Sequence, residues 1–293
     1  MRIIKTGRVT PYIYLLPYLL FISFIYAFSI PYAFVFSFQR VRGITGEFIG
    51  LANYRSVFND VEFIFAIKNN LQMLIIVPII IFIALVLAVF IFEGVRGWKF
   101  YRTAIFIPYI LPITVAGLTF GYIFTLKGVL NDFLAMINLK SDIDWLGNPD
   151  LALWTLMFIV IWKELGFGMM LFLARLMSVD ESLYDAAKMD GATWFGRLVH
   201  VTIPQLATVI EFFSVITIIN LLSWVFAYAY VVTSGGPGNA TMVLELFIYK
   251  QLTRSSIPRT GTGAAASVLL FIIVIVLVLG LIRLRKRMDL EIQ

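Results

Sequence analysis

Long apolar runs separated by short polar stretches dominate the chain, and their length decides what they are. About 20 apolar residues in a helix cross the roughly 30 Å hydrocarbon layer, and a helix satisfies its backbone groups within one segment there. Six runs reach that length: 11–38, 71–92, 103–126, 151–173, 204–232 and 264–282. The second and last are almost unbroken Ile, Leu, Val and Phe, whereas the third carries Pro108, Pro112, Gly117 and Gly121. Proline is tolerated in a membrane helix whose neighbours re-satisfy the freed carbonyl, so the third run predicts a kinked, packed span. The expected fold is all-α: one polytopic membrane domain over residues 1–293 with six transmembrane helices. The first run is about twice the length of a signal-peptide core and lacks a small-x-small cleavage site, so it reads as a retained span.

Basic residues orient the spans. Alternate segments hold thirteen Lys and Arg in tight clusters (Arg2, Lys5, Arg8; Arg96, Lys99, Arg102; Arg175, Lys188, Arg197; Arg283, Arg285, Lys286, Arg287). The remaining segments hold nine, spread over longer loops: Arg40, Arg42, Arg55, Lys68, Lys127, Lys140, Lys250, Arg254 and Arg259. The denser set predicts the cytoplasmic side, with both termini inside. Loops 39–70, 127–150 and 233–263 then lie outside, and Asn148-Pro149-Asp150 and Gly235-Gly236-Pro237-Gly238 mark turns there.

Composition agrees and removes whole classes of function. Of 293 residues, 61% are hydrophobic and 14% charged, against roughly 25% charged in soluble domains. With no cysteine, disulfides, thiolate metal sites and cysteine nucleophiles are excluded; the single histidine, His200, excludes multi-histidine metal sites. The net charge of +6 sits beside apolar runs, as topology demands, and calls for no nucleic acid. No internal repeat or domain boundary is visible.

The inward loop 174–203 is more helical than loop-like. Ser178, Asp180 or Ser182 suits a helix start, Tyr184–Met189 is a good helix former, and Gly191 is placed as the left-handed residue ending it. A second short helix, Ala192–Val199, then leads to Pro204. Two short helices joined at a glycine make a knob, whose flank Ala186 and Ala187 leave smooth for another protein. The same pattern also describes an amphipathic connector lying on the membrane surface.

Tyr184-Asp185-Ala186-Ala187, then Asp190-Gly191-Ala192 and later Ile203-Pro204, resembles the coupling loop of permease subunits of ATP-binding-cassette importers, whose pattern is Glu-Ala-Ala, three residues, then Gly. Asp185 stands where that family usually has Glu, which shortens the arm by one methylene. The likeness covers nearly the whole chain and is nearest to the carbohydrate branch, the maltose- and glycerol-phosphate-type permeases. Gly50-Leu51-Ala52-Asn53-Tyr54 with Asp60, Phe63 and Asn69 is similar to that branch's outer segment; Arg102 with Phe106-Ile107-Pro108 resembles its third-span entry. Trp162-Lys163 with Gly166-Phe167, Thr233-x-Gly235-Gly236-Pro237 and Gly261-x-Gly263-Ala264-Ala265 resemble its fourth span, last loop and last span.

The resemblance implies a non-catalytic permease in a bacterial or archaeal cytoplasmic membrane. Its expected partners are membrane lipid, a second permease subunit, two ATPase subunits and an extracytoplasmic solute-binding protein, with a carbohydrate or related polyol or sugar phosphate as solute. The loop would dock in a cleft of the ATPase, Asp185 facing a polar group and Trp194 or Phe195 filling an apolar pocket. The chain carries no Gly-x4-Gly-Lys-Ser/Thr phosphate loop, so ATP and Mg are expected on the partner ATPase and no cofactor on this chain.

In the fifth run Ser214, Thr217, Asn220, Trp224 and Tyr228 recur every three or four residues and occupy about 120° of a helix. Such a stripe is costly against lipid and faces protein or a water-filled path; hydroxyls, a carboxamide and flat rings suit sugars. Interhelical hydrogen bonding is the alternative. Lys163 and Glu164 each cost about 2.5–3.5 kcal/mol at a helix centre. They line or gate the path, or else pair with neighbours, and Gly166 and Gly168 beside them would let the helix bend. Glu211, near the fifth run's inner end, reads as structural, and Gly117, Gly121, Gly263 and Ala266 as packing positions. The rival function is an ion-coupled secondary transporter with Glu164, Lys163 and Glu211 as relay; a channel and a membrane enzyme find no supporting motif.

Overall fold

Helix dominates this computed structural model, which describes residues 10–42, 45–253 and 259–291. The predicted basic clusters Arg2, Lys5 and Arg8, and Arg254, lie outside the described residues. The side chains of Arg42, Arg285, Lys286 and Arg287 do so too.

The chain forms two compact units, one of residues 1–60 with 248–272, the other of 61–247 with 273–293. In the first, helix α1 (Thr10–Ser37) runs into a two-stranded antiparallel hairpin, β1 (Gln39–Arg42) and β2 (Thr45–Phe48), paired Gln39 to Phe48 and Arg42 to Thr45. Helix α2 (Ala52–Phe58) follows. Asn53 fastens these pieces: its Nδ2 donates to the carbonyls of Ser37 and Gln39, both at 2.9 Å, and the Tyr54 hydroxyl donates to Ser37 Oγ at 2.8 Å. A Cβ on Gly261 would stand 2.2 Å from the Gln39 carbonyl oxygen, so only glycine lets the last helix approach the hairpin there. The motif positions Asn53 and Gly261, far apart in sequence, thus meet.

The second unit starts with α3 (Val61–Met73) and α4 (Ile76–Phe92), separated by one turn. Then come α5 (Trp98–Ile110), α6 (Ile113–Ile123) and α7 (Val129–Met136). Helix α8 (Pro149–Leu176) is unbroken; Asn148 caps it by accepting the Asp150 N–H, with Pro149 in the first turn where its missing donor costs nothing. The loop holds α9 (Glu181–Met189) and α10 (Trp194–Arg197), and a π turn at Leu198–Thr202 leads into α11 (Ile203–Ser223). Helix α12 (Phe226–Val232) continues after a break. The last two helices described are α13 (Leu244–Thr253) and α14 (Thr260–Glu291), each with residues in both units.

Helix α8 is the axis of this unit, packing most extensively against α4 and next against α5. Its small residues set the distances: a Cβ on Gly166 would lie 2.5 Å from the Ile105 carbonyl oxygen, and one on Gly168 would lie 2.5 Å from the Phe213 ring. These glycines, expected to let the helix bend, are sites of close approach in an unbroken one.

Among the described residues, five helices are long and apolar enough to cross a membrane, at Tyr12–Ser37, Val61–Phe92, Pro149–Leu176, Trp194–Ser223 and Thr260–Arg283. The third predicted run is the pair α5 and α6, bent by 99° at Leu111-Pro112, a sixth span when the pair is counted as one broken span. A kink was expected; two proline-flanked residues in extended conformation (Leu111 ψ 137°, Pro112 ψ 138°) end one helix and start another. The fifth run also breaks, at Trp224. Gly117 packs as expected, 2.9 Å from Val231 for an added Cβ, whereas nothing lies within 4 Å of Gly121.

Candidate translocation cavity and helical loop

The two breaks face one another across a cavity of about 350 Å³, lined by Tyr109, Val160, Lys163, Glu164, Thr217, Asn220, Trp224 and Tyr228 among others. Thr217, Asn220, Trp224 and Tyr228 of the predicted stripe therefore converge with the predicted pair Lys163 and Glu164, although the stripe runs over two helices. Ser214 and Gly166 are not brought to it. The Ser214 hydroxyl donates back to the Ile210 carbonyl at 2.6 Å, and Gly166 faces the backbone of α5.

Each wall has an evident cause. Where α5 stops, its last carbonyls lose their helical partners. Leu111 N–H takes the Pro108 carbonyl at 3.3 Å, and the Lys163 ammonium donates to the Tyr109 carbonyl at 2.8 Å. A cation on the carbonyl end of a helix is also favoured by its dipole. The same ammonium sits 5.1 Å from the Tyr109 ring centre, and that ring stacks on Phe167 at 5.0 Å. Lys163 thus finds its partner within its own chain, on the α5 end that the break at Leu111-Pro112 leaves open. Across the cavity, Thr217 bonds its hydroxyl to the Phe213 carbonyl at 2.7 Å. Trp224 stands at the break in the chain and is exposed, whereas the Tyr228 hydroxyl is buried without a hydrogen-bond partner.

Outside the cavity, the motif residue Asn69 and two residues with no motif of their own, Asn70 and Glu245, hold the segments around the Trp224 break. Asn69 donates to the carbonyls of Asn239 at 3.0 Å and Met242 at 2.8 Å, and Asn70 donates to the Leu221 carbonyl at 3.2 Å while accepting the Leu244 N–H at 2.8 Å. Glu245 accepts the Phe226 N–H at 3.0 Å, and burial pushes its carboxyl up to about 7 against the lowering effect of that bond. Nothing in the local pattern around Asn70 or Glu245 announces these roles, since their partners lie 19 to 174 residues away.

The helical loop folds nearly as read. Asp180 caps α9 by accepting the Ser182 N–H at 2.9 Å, and that bond holds its carboxyl below the usual range. Gly191 takes φ +76°, the left-handed stop. The second helix differs from expectation: α10 spans Trp194–Arg197 and joins α11 through the π turn, so Trp194–Ser223 is one helical run instead of a separate knob helix. Asp185, Ala186, Asp190 and Gly191 are exposed, and Tyr184, Ala187 and Ala192 are half-buried. Asp185 pairs with Lys188 at 2.9 Å in solvent, where such a pair contributes little. Phe195 is 67% exposed, whereas the Trp194 indole donates to Glu93 at the end of α4. Tyr184 meets the Phe92 ring at 5.9 Å and the Thr202 hydroxyl at 3.3 Å. Helix α9 is thereby fastened to α4 and to the base of α11.

Broken membrane helices around a polar, aromatic cavity, with an exposed helical loop at one end, define a polytopic transport protein. The chain belongs to the family of binding-protein-dependent transport system inner membrane components, whose model matches residues 66–289. It is thus a multi-pass permease subunit of an importer of the ATP-binding-cassette type, and the ion-coupled carrier reading falls away. It is 32% identical over 253 residues to the probable ABC transporter permease protein YurN of Bacillus subtilis, covering 84% of this chain and 86% of that one. It is 32% identical over 245 residues to the lactose transport system permease protein LacF of Rhizobium radiobacter, with 82% of each covered. To the sulfoquinovosyl glycerol transport system permease protein SmoG of Agrobacterium fabrum it is 34% identical, covering 73% and 70%. The fold matches a crystal structure of a bacterial ABC transporter that imports the acidic polysaccharide alginate, at TM-score 0.81, 24% identity and 94% coverage of both chains.

Proposed function

We propose that the subunit forms half of a pathway for a carbohydrate or a closely related polyol or sugar phosphate, with the 350 Å³ cavity as part of that path. The observation that carries this is the convergence of Thr217, Asn220, Trp224 and Tyr228 on one cavity. A carboxamide and a threonine hydroxyl exchange hydrogen bonds with hydroxyl edges, and the exposed Trp224 ring offers a flat face to C–H surfaces. The buried, unpaired Tyr228 hydroxyl supports a site built to meet a polar group. Relatives named for lactose, sulfoquinovosyl glycerol, arabinooligosaccharides and diacetylchitobiose support the same class.

In this reading the complex contains a second permease, two ATPase subunits that bind ATP and Mg, and an extracytoplasmic solute-binding protein. The 174–203 loop faces the cytoplasm, as do both termini. There Tyr184, Asp185, Ala186, Ala187, Asp190, Gly191, Ala192 and Phe195 present the docking surface, with Trp194 anchoring it to Glu93. ATPase closure moves the loop and switches the pair of permeases between inward- and outward-open forms.

The test is uptake by the co-purified complex in proteoliposomes with its binding protein, using a panel of labelled sugars, polyols, sugar phosphates, amino acids and peptides. ATP-dependent uptake confined to the first three groups is expected, and Trp224→Ala or Asn220→Ala should lower solute-stimulated ATPase activity more than basal activity. Uptake confined to amino acids or peptides would overturn the solute class, and ion-driven uptake by this chain alone would overturn the whole assignment.

A further inference from the structure

The break at Trp224 leaves more backbone ends than the membrane run itself can satisfy. Three helix termini meet beside it: the carbonyl end of α11, the N–H end of α12 and the N–H end of α13. In a water-poor setting each orphan group requires a partner, and two side chains supply them. Asn70, 1% exposed, uses both halves of its carboxamide, Nδ2 to the Leu221 carbonyl at 3.2 Å and Oδ1 from the Leu244 N–H at 2.8 Å. Glu245, in the first turn of α13, reaches across to accept the Phe226 N–H at 3.0 Å. Asn69 fixes the turn leading into α13 through the carbonyls of Asn239 and Met242.

Neither Asn70 nor Glu245 lines the cavity, yet the segment they bracket supplies Asn220, Leu221, Trp224, Val225 and Tyr228 to its wall. Residue 224 has φ −132° and its N–H bonds to the Asn220 carbonyl at 2.8 Å, so Trp224 ends α11 without the left-handed glycine that commonly stops a helix. The angle between α11 and α12 is therefore set from outside, by the two side chains that hold their ends.

We propose that Asn70 and Glu245 are positioning residues for transport: they fix the fifth-run break so that Asn220, Trp224 and Tyr228 share one face toward the solute. This rests on the cavity being part of the solute path. It assigns a transport role to two residues that touch neither solute nor ATPase, and it predicts that their effect passes through Trp224.

The experiment measures solute moved per ATP hydrolysed in the reconstituted complex for Glu245→Ala, Glu245→Gln, Asn70→Ala, Trp224→Ala and the double variant Glu245→Ala with Trp224→Ala. Glu245→Ala and Asn70→Ala are each expected to lower that ratio about tenfold, less than the roughly hundredfold that a misplacement of about 1 Å costs at a catalytic site. Glu245→Gln, which keeps an acceptor for the Phe226 N–H, is expected to restore it. The double variant should be little worse than Trp224→Ala alone, because residues acting as one unit are not additive.

A structural readout accompanies it. Spin labels on cysteines introduced at Phe212 and Tyr230, both exposed, report the distance across the break in a chain with no native cysteine. That distribution should broaden in Glu245→Ala and stay narrow in Glu245→Gln. If Glu245→Ala does not accumulate, Glu245→Asp, which withdraws the carboxylate by one methylene, replaces it in both measurements. A reduced ratio in Trp224→Ala with unchanged ratio and distance in Glu245→Ala and Asn70→Ala would overturn the positioning role and leave the cavity reading standing. No effect of Trp224→Ala, with broadening in Glu245→Ala, would instead sink the cavity reading.

Discussion

A lysine at the centre of a membrane helix costs about 2.5–3.5 kcal/mol, and Lys163 offsets that cost by bonding the Tyr109 carbonyl that the break in α5 leaves open. The expense was legible in sequence; the partner was not, because a main-chain carbonyl 54 residues away has no letter of its own. The same holds for Gly166. Its neighbourhood to charged residues suggested flexibility, but the deciding fact is the Ile105 carbonyl oxygen 2.5 Å from an added Cβ. Backbone cannot step aside as a flexible side chain can, so Gly166→Ala should destabilise the subunit by about 1–3 kcal/mol. A thermal-melting measurement in detergent should show a lower midpoint for Gly166→Ala and no lowering for Gly121→Ala, where nothing lies within 4 Å. Equal midpoints in both variants would refute close packing at residue 166.

Among elements, α9 is the one whose ends were written locally. Asp180 at its start and Gly191 at its end act through backbone groups within a few residues. Proline cannot adopt φ +76° and would remove the Gly191 N–H bond to Lys188 at 3.0 Å. Gly191→Pro, and Asp185→Lys beside Lys188, should reduce ATP-driven uptake to background while immunoblots still find the subunit in the membrane. Normal uptake in both variants would count against the loop as a docking element. Long apolar runs were equally legible because hydrocarbon thickness leaves few alternatives to a helix. The β1–β2 hairpin was not, with four-residue strands too short for a pattern of alternation to emerge. Nor was the Trp224 break, since the side chains bonded to its ends, Asn70 and Glu245, lie on other helices.

For the molecule as a whole, α1 is the outlier: its apolar 18-residue stretch has no buried residue, and Tyr14 and Phe24 are 81% and 70% exposed. An apolar surface of that kind requires lipid or a second subunit against it. Sidedness is directly testable because the chain is free of cysteine. A cysteine placed at Met189, 88% exposed, should react with a membrane-impermeant maleimide in inverted vesicles alone, and one at Leu139 in right-side-out vesicles alone. The opposite pattern would reverse the orientation. One consequence follows from the single helical run of 30 residues between Trp194 and Ser223. At 1.5 Å per residue it is a lever about 45 Å long, so a tilt of about 5° at the loop end sweeps the tip by something on the order of 4 Å. Because the rod stops at Trp224, that sweep is not handed on to α12. If the cavity is the solute path proposed above, such a sweep would open or narrow the gap between Asn220 and the wall carrying Lys163, turning a small push at the loop end into a change in the width of the passage.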